Sequence, residues 1–152
     1  MRIPLGPPEK VQLAAHYPHL LSEDTIVWTR WLEKNQHRIS AVWYDVHVGE
    51  PVAVPAGLHP SIPIDALAVT RKRIDVVART PSELWVIELK PYGNYTSLGQ
   101  ALTYSRLFAQ GYDAGLPVVP MVICCELDPD LVDDFQRLGV RFEEVGYPPY
   151  RI

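Results

Sequence analysis

Cysteine is scarce in this 152-residue chain: there are two, Cys124 and Cys125, side by side in an apolar run. Adjacent thiols in such a run read as a buried, reduced pair of a cytoplasmic protein, not as a disulfide framework. Also missing is any stretch near the roughly 18 apolar residues of a membrane span. The Met1-Arg2-Ile3-Pro4 start carries no apolar signal segment. We therefore expect a cytoplasmic chain with no membrane partner. Nor is positive charge in excess, since 14 Lys and Arg against 18 Asp and Glu leave a formal charge of −4. Without a global basic footprint, any nucleic-acid contact must come from a local patch. The remaining composition, 47% hydrophobic and 21% charged, is that of a globular protein long enough to bury a core. One domain over residues 1–152 is expected.

Residues 1–21 are an N-terminal arm, proline-marked over Met1 to Pro18, that reads as extended or as a short irregular helix. Ser22 is a good N-cap, Glu23 and Asp24 suit the positive end of a helix dipole, and Val27, Trp28, Trp31 and Leu32 form a stripe at helical spacing. A helix over Glu23 to His37 follows. Ala41 to Val48 is a strand of β-formers ending at Gly49. Residues 50–69 are a proline-spaced connection, either a functional loop or an irregular surface excursion. Arg71 to Arg79 and Leu84 to Lys90 predict a hairpin turned at Thr80-Pro81-Ser82-Glu83. A helix follows over Ser97 to Gln110, then a strand over Pro117 to Cys125. Asp128-Pro129-Asp130 starts another helix, which stops near Gly139, and Val140 to Val145 is a last strand before an irregular tail. The order implies an α/β (α+β mixed) fold with a central mixed sheet flanked by helices.

One strand breaks a rule. Leu84 to Leu89 is apolar enough to be buried on both faces, yet it contains Glu88, and Lys90 shares that residue's face. A buried charge is costly unless paired or metal-bound. In the hairpin, Asp75 on the preceding strand can approach Glu88. Two such carboxylates repel unless a cation lies between them, and a small set of hard oxygen ligands favours Mg²⁺. With a lysine to orient water or neutralise developing charge, these are the parts for phosphodiester hydrolysis. A salt bridge from Glu88 to Lys90 or Arg73 explains the same residues structurally. Gln100 and Tyr104, four apart, stand on one helix face. They can hold a phosphate or a base, or form an ordinary half-exposed face.

Asp75, Glu88-Leu89-Lys90 and Gln100-Ala101-Leu102-Thr103-Tyr104 together resemble the PD-(D/E)XK nuclease superfamily, and the helix motif is similar to that of its RecB-like branch. The resemblance covers about two-thirds of the chain and is most specific over Ile74 to Tyr104. It implies a restriction-endonuclease-like αβββαβ core, here with an extra C-terminal helix and strand. It implies a metal-dependent deoxyribonuclease with Mg²⁺ or Mn²⁺ on Asp75 and Glu88, Lys90 catalytic, and Gln100 and Tyr104 supporting substrate. The alternative is a catalytically inactive nuclease-fold protein that binds nucleic acid or protein. Ile74 stands where the motif name has proline. For the further acid that many members carry on the first helix, Glu33 is the first choice and Glu23 the second, though Glu33 also reads as a surface acid. For an upstream histidine, His47 on the first strand is the candidate, and its reading as a half-buried polar residue is the preferred one. Asp65 is a rival to Asp75. With two cysteines there is no four-cysteine set, and an iron–sulfur variant is not expected.

The expected partner is DNA. Arg71, Lys72 and Arg73 enter the active strand as a basic run, and Tyr92, Asn94, Tyr95 and Arg106 follow the lysine. Phosphates want cations and unpaired bases stack on rings, although a short charge run is also what a solvated edge looks like. Of these, Arg73 and Tyr92 are the chosen substrate contacts. Further copies of the chain or a larger DNA-processing complex are also expected, with Trp28, Trp31, Trp43 and Trp85 serving core or interface.

Overall fold

The apolar stripe of the first helix sets the layering. In the computed structural model, which describes residues 1–50 and 71–148, this helix (α1) runs Ser22–Asn35 and continues into a 3₁₀ turn, Gln36–Arg38. It buries Val27, Trp28, Trp31 and Leu32 against one face of a sheet. The strands are β1 (Ile3–Pro4), β2 (Ala41–Val48), β3 (Lys72–Arg79), β4 (Leu84–Gly93), β5 (Tyr112–Asp113), β6 (Val118–Leu127) and β7 (Arg141–Glu144). The other helices are α2 (Tyr95–Gly111) and the short α3 (Val132–Arg137). Asp65, most of the proline-rich connection 50–69 and the tail residues 149–152 lie outside the described residues.

The main sheet has the order β2-β3-β4-β6-β7. β2, β3 and β4 pair antiparallel, whereas β4, β6 and β7 pair parallel. A parallel pair needs a crossover, and α2 supplies it between β4 and β6. Its Leu98, Ala101 and Phe108 cover the face opposite α1. The result is a mixed α/β fold whose mixed sheet is flanked by helices. Its succession α1-β2-β3-β4-α2-β6 follows the expected αβββαβ order, with α3 and β7 as the C-terminal additions.

Each element has a local cause. The β3–β4 turn is closed by Thr80, whose N–H donates to Glu83 O at 2.9 Å and whose hydroxyl accepts from the N–H groups of Ser82 and Glu83. α2 begins two residues earlier than expected because Asn94 caps it: the Asn94 side chain accepts from Ser97 N–H, and the Ser97 hydroxyl accepts from Asn94 N–H. α1 starts at Ser22 with no side-chain cap. β4 runs on through Pro91, past the break expected there. Its pairing with β3 ends at Ile87, so beyond that point no β3 ladder bond asks for the missing proline N–H.

All four tryptophans are core residues, between 0% and 6% exposed. Trp28 and Trp31 stack at 5.1 Å, and Arg38 lies over Trp31 and Trp85 while binding Glu143 through two hydrogen bonds. The arm lies along the outer strand: Glu9 bridges Val42, Trp43 Nε1 donates to Gly6 O at 2.7 Å, and β1 pairs with β5. That covering blunts an otherwise open sheet edge. Cys124 and Cys125 are buried and unbridged. Among the described residues no helix is long and apolar enough to cross a membrane.

Candidate active site

β3 and β4 separate where the acids lie. Their ladder holds from Arg79–Leu84 to Val76–Ile87 and goes no further. At the next step the Asp75 side chain replaces the backbone bond, and Leu89 N–H donates to Asp75 Oδ2 at 2.9 Å. This fixes the Asp75 carboxylate in the opening between the strands.

Glu88 is 3% exposed and lies on the face covered by α2, in alternation with Val86. Burial first, then the adjacent Asp75, pushes its carboxyl well above the usual range. Asp75 is also raised, mainly by burial, against the opposing hydrogen bonds from Leu89 and Glu88. Two carboxyls in hydrogen-bond contact share either a proton or a cation. Glu88 Oε1 is buried and has no hydrogen-bond partner, so a ligand atom on that side would find an acceptor with nothing else to satisfy it.

A third acid comes from α1. Asp24 is 7% exposed, and its pKa is pushed up to about 6 by burial and then by Asp75, against the pull of Lys90. The lysine is close enough to favour the charged forms of Asp24, Asp75 and Glu88 alike. From the other side, α2 brings Tyr104, whose hydroxyl is raised by burial and by the charge of Glu88 and is held by a hydrogen bond from Gln100. Gln100 Oε1 is buried and unpartnered. Asp75, Glu88, Lys90, Gln100 and Tyr104 are thus brought together from β3, β4 and α2.

Two expectations are corrected here. Glu33 does not join the cluster. It lies nine residues along α1 from Asp24, about 13 Å at the rise of an α-helix, and is exposed beside a cavity lined by Arg30, Lys34 and Glu143. Glu23, beside Asp24, is exposed. Asp24 takes the place considered for them because it is in register with the buried stripe: Asp24, Val27, Trp28 and Trp31 occupy one helix face. That register was the available signal.

The remaining candidates flank the cluster. Arg73 lies 3.5 Å from Asp45 and pairs across the ladder with His47, which contacts the same carboxylate at 3.4 Å. Tyr92 pairs with Glu126 at the far end of β4 and is 42% exposed, and Tyr95 is 73% exposed. Arg106 reaches Gln110 on its own helix at 3.4 Å. Among the described residues no group of three or more His, Cys, Asp or Glu side chains is arranged to hold a metal ion. Asp75 and Glu88 form a two-carboxylate position, a donor set compatible with Mg²⁺, which keeps several waters and takes one or two carboxylates.

No protein-family model matches the chain, and no curated protein matches it. Among solved structures it is similar to one described as "Structure of EndoMS-dsDNA2 complex", at 17% identity and a TM-score of 0.49, covering 91% of this chain and 51% of that one. This chain spans about half the length of that protein. The chemistry of the site rests on its own geometry.

Proposed function

We propose that the protein is a metal-dependent nuclease that hydrolyses DNA phosphodiester bonds. The observation that carries the reading is the opening between β3 and β4, where Asp75, Glu88 and Asp24 converge on Lys90 and Glu88 Oε1 is buried without a partner. Three acids around one lysine leave a net negative centre, which attracts a cation and repels a phosphate unless that cation is present. Asp75 and Glu88 would hold Mg²⁺ or Mn²⁺, with Asp24 adding charge beside them. When bound, the ion would supply Lewis-acid polarisation of the phosphate and a water of lowered pKa. Lys90 donates to the charge that builds on the phosphoryl oxygens and orients the attacking water. Tyr104 and Gln100 offer neutral donors from α2, so they can orient a phosphate without adding charge.

A test is cleavage of end-labelled single-stranded, duplex and branched DNA with Mg²⁺ or Mn²⁺. Wild type is expected to cut at least one substrate, and Lys90→Ala to lose about 100-fold or more of that rate, the usual weight of general acid–base assistance. Equal inactivity of both proteins on every substrate would sink the enzyme reading. The second reading, a binding component with a remnant site, draws on the lack of a ready three-ligand group among the described residues and on the formal charge of −4. Calorimetric titration with Mg²⁺ separates the two, since a remnant binds the ion poorly.

A further inference from the structure

Among the described residues two non-glycine residues have a left-handed backbone, His19 at φ 60° and Asp45 at φ 53°. They contact each other, with His19 Nε2 at 3.7 Å from Asp45 Oδ2. Such conformations are costly for a residue with a side chain and persist where the surroundings over-determine them. Asp45 lies in mid-strand opposite Asp75, flanked by the pairs Tyr44–Val76 and Val46–Ile74. Side chains along a strand alternate between faces, yet Ala41 and Trp43 before Asp45 share a face with Val46 and Val48 after it. The backbone turn at Asp45 breaks the alternation and frees its carboxylate to gather partners from separate segments. His47 Nε2 stands 3.4 Å from the oxygen that His19 approaches, and Arg73 Nη1 is 3.5 Å from the other.

The acid is the buried member of this cluster and its three partners are the more exposed ones. The Asp45 side chain is 14% exposed, against 63% for His19, 30% for His47 and 36% for Arg73. Arg73 reaches the acid through Nη1 alone, so its five-donor guanidinium retains N–H groups for a further acceptor. A guanidinium, and imidazoles when protonated, are donors that suit an anion. The setting narrows which anion. Asp45 is near enough to Asp75 for its charge to act on that acid, which places the cluster on the β2–β3 side of the strand opening. On the β6 side, Glu126, Asp128 and Asp130 are near enough to Tyr92 for their charges to act on its hydroxyl, and such acids repel phosphate.

We infer that Asp45 holds Arg73, His47 and His19 as a phosphate-binding site on the β2–β3 side of the acid pair, seating the backbone phosphate next to the one under attack. Arg73 and the two histidines touch the phosphate, and Asp45 is a positioning residue. The identity of the ligand as nucleic acid rests on the nuclease reading.

The test needs no metal: fluorescence anisotropy of labelled single-stranded and duplex oligonucleotides in EDTA, across a series of salt concentrations. Arg73→Gln is expected to weaken binding about tenfold. It should also reduce the slope of log K against log salt by about 0.7–0.9, the amount one phosphate contact contributes. Asp45→Asn removes an acid, which by charge alone would tighten binding, whereas loss of positioning weakens it by about threefold or more. Tighter or unchanged binding by Asp45→Asn would overturn the inference, as would an unchanged slope in Arg73→Gln or wild-type binding that ignores salt. If the cluster only pins the segment before α1 to β2, both variants lose Tm and keep affinity and slope. Cleavage assays separate the two claims. Variants that cut DNA with unchanged KM end the phosphate site and leave the nuclease reading standing. Altered slopes in a protein that never cuts do the reverse.

Discussion

Asp24 occupies a position on α1 that the stripe of Val27, Trp28 and Trp31 would otherwise fill with an apolar side chain. Its pKa of about 6 against an ordinary 3.8 has a sign that can be checked. A carboxyl raised on folding binds its proton more tightly in the folded state. Its contribution is intact below about pH 4 and is lost as pH rises through about 6. Asp24→Asn is therefore expected to raise Tm at pH 8 and leave it nearly unchanged at pH 4. The two conditions should differ by up to about 3 kcal/mol in effect. Asp75 and Glu88 are raised in the same direction, so a divalent cation binding the ionised forms should restore stability at pH 8. Differential scanning with and without Mg²⁺ should show a larger gain in Tm for wild type than for Glu88→Gln. Glu88 was legible in the sequence because an acid inside an apolar strand violates a composition rule. Asp24 was not, because beside Glu23 it reads as an ordinary dipole-matching acid until the helix register is compared with the buried face.

At the scale of elements, the site depends on where β4 ends and α2 begins. Gln100 and Tyr104 are positioned by a helix whose first turn is held by the reciprocal Asn94–Ser97 bonds. Asn94→Ala removes the side-chain half of that cap and is expected to cost about 1 kcal/mol. A fall in Tm with a rise in KM for DNA would show that the helix start also positions the substrate groups, whereas an unchanged Tm would contradict the capping assignment. The order and type of the long elements were readable from periodicity, since α1, β4 and β6 each carry a pattern of burial that one secondary structure explains. Their ends were not. The extension of β4 through Pro91 depends on β3 leaving the ladder at Ile87, a tertiary event that no local pattern announces. The distortion at Asp45 is equally hidden, for Ala41 to Val48 reads as an uninterrupted strand.

Over the whole molecule, a formal charge of −4 and a site built of acids leave little general attraction for nucleic acid. In the proposed nuclease, recognition would rest on the local arrangement: Arg73 and two histidines gathered at Asp45 on one side, acids near Tyr92 on the other, and the strand opening between them. Among the described residues, two buried polar atoms without partners, Glu88 Oε1 and Gln100 Oε1, belong to the groups gathered at that opening. Its most direct test is a crystal of the protein soaked in Mn²⁺ and examined for anomalous density. We expect a peak bridging the Asp75 and Glu88 carboxylates that disappears in Glu88→Gln. Crystals without density there, in which Glu88 stays hydrogen-bonded to Asp75, would contradict a metal-dependent site.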